Sequence, residues 1–464
     1  MNLTRITRVL GRRLLNVMFA VLGAITICAP LLVHSQTTSH QRLKTNQQPD
    51  SSGAVSSQLH EAASLLQQGR PADAEPILRQ VLLSAPRNSD AHNFLGIVLD
   101  QRGQFEAAER EYREALRLNP DGISPLANLG VLLARTRRAT EAIKVFESVL
   151  QKAPDHPQAI INLGLLHASR GEYERAAVLL KRARELQPSS FDILYNLGIS
   201  LYNLKQYDEA TNALESASAL SPNTAEPLYF LGLIAYARNE DENARELWEK
   251  AITIDPNHAA ANFMLGELLA KRKDYSTAKT YYEKALARDS SNVAYHIRLG
   301  GAYLYLHDFN RAFEIFKTAS ERFPQVPETH YFLSIAARTR GESDLAVIAL
   351  RKALAINPNY ADALALLGAI RLDKGDLVEA EKLLRKALLS NSNNYNANYN
   401  LGRLLVKQQK FIEALPPLQR ASGTLPENPD VHYQLFLAYS RLNQKLEADQ
   451  ELEMFKRLSK DDKK

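Results

Sequence analysis

The sequence predicts an all-α protein built as a solenoid of stacked helix pairs. Three periodicities carry that reading. A glycine returns every 34 residues at Gly96, Gly130, Gly164, Gly198, Gly232, Gly266 and Gly300, and again at Gly368 and Gly402. An alanine keeps the same period at twelve places, from Ala74, Ala108 and Ala142 to Ala414 and Ala448. A proline holds the phase at Pro86, Pro120, Pro154, Pro188, Pro222, Pro256, Pro324, Pro358 and Pro426. Self-similarity at a fixed period of a few tens of residues marks a repeat architecture. Twelve repeats, from 55–88 through 429–462, fill residues 55–462 without an insertion.

Each repeat contains two helical patterns. In 89–122, Leu95, Val98 and Leu99 share one helical face, and Ala108, Tyr112, Ala115 and Leu116 share another at i, i+4, i+7, i+8. The small residues Gly96 and Ala108 let the two helices approach closely, and Tyr112 fills the gap above them. Gly69, Gly103, Gly171, Gly341 and Gly375 end the first helix as left-handed terminators. Acids such as Glu106, Glu172, Asp208, Glu240, Asp274 and Asp308 open the second, where the helix dipole favours them. The proline stops it. One helix pair cannot bury its own apolar face, so neighbours must stack. The terminal repeats depart from the pattern: Ala62 stands in the glycine place of the first, Phe436 and Phe455 in small-residue places of the last. That suits capping of the stack.

At this point the chain strongly resembles the tetratricopeptide repeat family, whose 34-residue helix–turn–helix carries Leu-Gly, an aromatic, two alanines and a closing proline. Leu95-Gly96, Phe105, Ala108, Tyr112, Ala115 and Pro120 match it. The resemblance covers nearly nine-tenths of the chain and implies a right-handed α-solenoid of about twelve such repeats. It also implies protein or peptide binding on a concave surface lined by the first helices.

The N-terminus has another character. Residues 1–13 carry Arg5, Arg8, Arg12 and Arg13 and no acid; residues 14–33 are apolar except for Asn16, Thr26 and Pro30. That order is read as a signal peptide or transmembrane anchor over 1–35, forming an apolar helix ahead of the solenoid. Val33-His34-Ser35 makes cleavage before Gln36 plausible; an uncleaved anchor would attach the chain to a membrane through residues 14–33, with the body outside. The location expected is the bacterial periplasm or cell envelope, the alternative another secretory or a mitochondrial compartment. Residues 36–54 read as a flexible polar linker.

Composition removes several functions. The formal net charge of +5 comes from the N-terminus. Of 57 Lys/Arg and 52 Asp/Glu, six bases and one acid lie in residues 1–54, which leaves the repeats formally neutral. A nucleic-acid surface would need excess basic charge, so nucleic acid is not an expected partner. The single cysteine, Cys28, lies in the apolar run, so the repeats have no disulfide, thiolate metal site or cysteine nucleophile. His92, His296, His330 and His432 share one repeat place, which reads as packing or surface rather than a metal site. No phosphate-binding or nucleophile-elbow motif occurs, and no segment outside the repeats could form a catalytic domain. No cofactor and no enzymatic activity are expected.

Function is therefore sought on the first helices. Two residues before the glycine stand Asn128, Asn162, Asn196 and, later, Asn400. The family resemblance makes such asparagines a ladder that grips peptide backbone, because an amide both donates and accepts. One place earlier stand Tyr195, Tyr229, Phe263, Tyr331, Tyr399 and Tyr433. They are either rigid anchors for a partner or packing between repeats. The family's basic clamp for a C-terminal carboxylate is missing, since its places hold Tyr, Ile, Leu or Ala in most repeats. Two roles follow. One is an exported or membrane-tethered scaffold or assembly factor; the other is an arm that presents substrate to a separate envelope enzyme such as a glycosyltransferase.

Overall fold

The structure, a computed structural model, describes residues 52–461. The expected signal or anchor and most of the linker lie outside the described residues. Ser52–Ala54, read from sequence as the end of that linker, already lie in the first helix. Among the described residues there are 24 α-helices and no strand. None of these helices is long and apolar enough to cross a membrane.

The packing divides the chain into two compact blocks, with the division falling between Pro256 and Asn257, two residues short of the boundary between the sixth and seventh repeats. The N-terminal block holds α1 (Ser52–Gln67), α2 (Pro71–Ser84), α3 (Ser89–Gln101), α4 (Phe105–Leu118), α5 (Ile123–Arg135), α6 (Ala139–Lys152), α7 (Pro157–Ser169), α8 (Tyr173–Leu186), α9 (Phe191–Asn203), α10 (Tyr207–Leu220), α11 (Ala225–Ala237) and α12 (Asp241–Ile254). The C-terminal block holds α13 (Ala259–Lys271), α14 (Tyr275–Arg288), α15 (Val293–Tyr305), α16 (Phe309–Arg322), α17 (Pro327–Thr339), α18 (Ser343–Ile356), α19 (Ala361–Asp373), α20 (Leu377–Ser390), α21 (Tyr395–Lys407), α22 (Phe411–Thr424), α23 (Pro429–Arg441) and α24 (Lys445–Asp461). Within each block the two helices of a repeat pack together, and each second helix packs on the next first helix.

The periodic residues do what their size requires. The repeated alanines, such as Ala108, Ala210 and Ala312, are fully buried. Their partners four residues later, Tyr112, Phe146, Leu180, Trp248, Tyr282 and Phe316, close over the glycines of the first helices and are themselves about fully buried. The five expected terminator glycines have φ between +70° and +86°. The other seven repeats place Arg137, Lys205, Asn239, Lys273, His307, Gln409 and Asn443 at the same point, with φ of +58° to +65°. Seven non-glycine residues thus accept a conformation that costs an L-residue about 1–2 kcal/mol, because the stacking on either side fixes the turn. Asp274, Asp308 and Asp376 accept the backbone N–H of Thr277, Arg311 and Glu379, capping their helices as well as complementing the dipole.

The shared histidine place has a structural role. His330 and His432 are buried and each sets Nε2 against the carbonyl of a proline six residues earlier, Pro324 at 3.1 Å and Pro426 at 2.8 Å. His92 does the same with Pro86. The ring thereby fastens the start of a first helix to the turn before it.

At His432 the other nitrogen, Nδ1, lies 2.6 Å from Glu451 of α24. Both ring nitrogens face acceptors, so only the imidazolium satisfies both. The hydrogen bond to Glu451 raises the His432 pKa; burial and the nearby Arg457 oppose the rise. A histidine pKa raised on folding adds stability below the unfolded value near 6.5, and that stability is lost as pH rises through the folded value. Hydrogen exchange in α24 is therefore expected to accelerate between pH 6 and pH 8 after correction for intrinsic rates. The acceleration should vanish in His432→Gln. The same pH response in that variant would rule His432 out.

Candidate functional site

The first helices of successive repeats touch side chain to side chain, and these contacts define one face in each block. In the N-terminal block Asn128 Nδ2 donates to Asn93 Oδ1 at 3.0 Å, and Arg135 pairs with Asp100 at 2.5 Å. The Arg135 guanidinium also lies 5.0 Å from the Phe105 ring centre. In the C-terminal block Arg298 Nε meets Glu267 Oε1 at 3.0 Å.

The asparagines differ among themselves. Asn128 is half-buried. Asn162, Asn196 and Asn400 are buried, at 1%, 7% and 6% exposure, and each Nδ2 donates to a carbonyl four residues back in its own helix: Gln158, Asp192 and Asn396. In this conformation these three offer little surface and no spare orientation to a peptide backbone.

The aromatic place divides in the same way. Tyr229, Phe263 and Tyr331 are buried. Phe263 lies 4.8 Å from Tyr295 of the next repeat, and Tyr331 lies 5.4 Å from Tyr360 at the end of its own repeat, so these rings are taken up in packing. Tyr195 is half-buried and stacks on Phe191 at 5.5 Å. Tyr399 is half-buried and stacks on Tyr395 at 5.9 Å. Tyr433 is 40% exposed beside Phe455.

Two sequence-selected residues, Tyr399 and Asn400, are brought together around one that sequence reasoning passed over. Arg403 Nη1 donates to Asn400 Oδ1 at 3.0 Å, its Nη2 meets Asp373 at 3.1 Å, and its guanidinium lies 5.9 Å from the Tyr399 ring centre. Arg338 reaches the other oxygen of Asp373 at 3.2 Å. Burial pulls the Arg338 pKa below its usual value; Asp373 opposes this and Arg403 adds to it. The guanidinium still stays charged. Four first-helix residues from α17, α19 and α21 thus form a half-exposed cluster of two arginines, an aspartate and a tyrosine. The available signal was a charged residue at places where other repeats hold Val131, Leu165 or Ile199. The arrangement presents paired charges and a ring face; it contains no nucleophile paired with a base. Among the described residues, no three His, Cys, Asp or Glu side chains gather as a metal site.

The fold and this face define a helix-pair repeat protein. Models described as "Tetratricopeptide repeat" match residues 59–123, 195–259 and 297–361, and 247–280 and 349–382. The chain belongs to the tetratricopeptide repeat family. A further model, described as "Anaphase-promoting complex, cyclosome, subunit 3", matches residues 135–217. A curated relative, the uncharacterized protein y4yS of Sinorhizobium fredii, is 36% identical over 69 residues, 15% of this chain. The match spans 38% of that relative's length. Among solved structures, yeast Tom70 is similar at 15% identity and TM-score 0.39, over 85% of this chain and 97% of that one. The hetero-tetramer Cut9–Hcn1 of the APC/C is similar at 14% identity and TM-score 0.45, over 84% and 96%. YrrB, titled a TPR protein with an unusual peptide-binding site, is similar at 22% identity and TM-score 0.38, over 40% and 95%.

Proposed function

We propose that this chain is a non-enzymatic protein-interaction scaffold or assembly factor that holds a peptide or protein segment on its first-helix face, exported or tethered to a membrane by residues 14–33. One observation supports it above the rest. The cluster of Arg338, Asp373, Tyr399 and Arg403 gathers partly exposed arginine and tyrosine on a first-helix face whose other aromatic and asparagine side chains are largely buried. Arg and Tyr dominate the energetics of protein interfaces. The substrate-presenting arm has less support, because it rests on asparagine amides of which three already donate within their own helices.

The double variant Tyr399→Ala/Arg403→Ala tests the site. Both side chains are partly exposed, so melting should change little while capture of partners from cell-envelope extracts falls at least about 10-fold, the weight of a small hot spot. Undiminished capture of every partner sinks the reading. N-terminal sequencing tests the location. A start at Gln36 marks export with cleavage, and Met1 in the membrane fraction marks a tether; Met1 in the soluble fraction contradicts both.

A further inference from the structure

In the fifth and sixth repeats the balance of charge breaks. Residues 191–256 carry eleven Asp/Glu and four Lys/Arg, whereas residues 55–464 together are formally neutral. The first helices of these repeats, α9 and α11, contain no Lys or Arg. Asp192 stands in the first turn of α9 and Glu226 in the first turn of α11. Both are partly buried, and among the described residues neither side chain has an ion-pair or hydrogen-bond partner. Burial raises the Asp192 pKa, with no cation opposing the rise. On the preceding helix, α8, Lys181 and Arg182 are engaged with Glu209 and Asp155. Lys205 follows α9, about 20 Å along the helix axis from Asp192.

An acid in a first turn suits the helix dipole. The dipole does not account for the rings beside these two. Tyr195 and Tyr202, seven residues apart on one side of α9, both meet the Phe230 ring of α11, at 6.0 Å and 5.8 Å between centres. Phe230 is buried, and both tyrosines are partly exposed. Asp192 precedes Tyr195 by three residues and Glu226 precedes Phe230 by four, so each acid sits one helical turn before its ring on the same side. Stacked repeats set their first helices parallel, which brings both acids to the Tyr195 end of the rings.

Elsewhere the chain completes this chemistry with its own side chains. Arg403 lies near the Tyr399 ring and pairs with Asp373, and Arg135 lies near the Phe105 ring and pairs with Asp100. On α9 and α11 the rings and carboxylates are present and the cation is missing. A partly desolvated, unpaired carboxylate gains from a cation brought to it. A guanidinium suits the place: its planar fork bonds carboxylates, it stacks on aromatic rings, and it is more weakly hydrated than an ammonium. We propose that Asp192, Glu226 and the rings of Tyr195, Tyr202 and Phe230 receive an arginine side chain from a segment of a partner protein. This site is separate from the Arg403 cluster and stands without it.

The probe is a labelled Gly/Ser peptide with arginine at every third position, titrated with the full chain at physiological salt and read by fluorescence anisotropy. Saturable binding is expected. The same peptide with citrulline, an uncharged isostere of arginine, should bind at least about 10-fold more weakly, and its lysine version several-fold more weakly. Asp192→Asn/Glu226→Gln should weaken the arginine peptide at least about 10-fold with little change in melting, since neither carboxylate holds a partner. Tyr195→Leu/Tyr202→Leu should weaken it several-fold while every charge remains. Glu215→Gln/Glu246→Gln removes the same charge from exposed second-helix places of the same repeats and should change binding less than about 2-fold. Tyr399→Ala/Arg403→Ala should leave it unchanged. No saturable binding by the unaltered chain, or equal binding of the citrulline peptide, would overturn the proposal. Equal binding of the lysine peptide would overturn the choice of arginine. An equal loss in Glu215→Gln/Glu246→Gln and Asp192→Asn/Glu226→Gln would also overturn it, by making diffuse negative charge the attractant. Each of these failures would leave the Arg403 cluster as it stands.

Discussion

Trp248→Ala is expected to destabilise the repeat 225–258 by about 3–5 kcal/mol, the usual cost of emptying a large aromatic site. Trp248 is fully buried, and its Nε1–H donates to the Tyr229 carbonyl at 3.1 Å. A Cβ placed on Gly232 would stand 2.3 Å from that nitrogen, so the helix backbone and the indole are in direct contact. The void left by alanine has rigid helix on one side and cannot collapse. Trp248→Leu should cost less, because the repeat 191–224 seats Leu214 against Gly198 at the same place. The measurement is hydrogen exchange over α11 and α12, since long repeat arrays need not unfold in one step. A loss below about 1 kcal/mol for the alanine variant would show that the contact does not hold the pair together.

The second large effect lies in the C-terminal block. Glu267 Oε1 accepts from Arg298 Nε at 3.0 Å and from the Tyr282 hydroxyl at 2.5 Å, and both charged side chains are under 10% exposed. Breaking a buried pair by removing one partner costs about 3–5 kcal/mol, whereas replacing both partners with apolar residues is often neutral. Arg298→Met should therefore be severely destabilising, and Glu267→Leu/Arg298→Met should recover most of the loss. Burial raises the Glu267 pKa while Arg298 and Tyr282 pull it down. Without Arg298 the rise is larger. A carboxyl whose pKa is raised on folding binds its proton more tightly in the native state, so stability falls as pH rises from about 4.5 towards the folded value. Arg298→Met should thus be closer to the parent at pH 5 than at pH 8. A pH-independent deficit would contradict a charged Glu267 as its cause.

The repeat boundaries were legible because close packing fixes residue size at a few places. Gly232 and Ala244 leave room for Trp248, and a register error would be visible at once. Helix starts and stops followed from Asp274 and the prolines. The turn conformation was only half legible: Gly171 announces φ > 0, while Lys205 and Arg137 adopt it under the stacking constraint. The candidate site was legible as residue types and hardly as roles. Asn162 and Asn196 look like ligands in sequence, but an amide in a helix can bond to its own backbone, and burial favours that. Arg403 and Asp373 are 30 residues apart, so their pairing needed the stack. Glu267 and Arg298 are hidden for the same reason.

The most direct test of a scaffold that works through its first-helix face is photo-crosslinking. A photoreactive phenylalanine analogue is placed at position 399, and at position 178 on a second helix as comparison, where Val178 is 63% exposed. Both full-length proteins are irradiated in cells. Discrete protein adducts from position 399, absent from position 178, are the predicted result. No adduct at 399, or the same adducts at both positions, would contradict binding on the first-helix face.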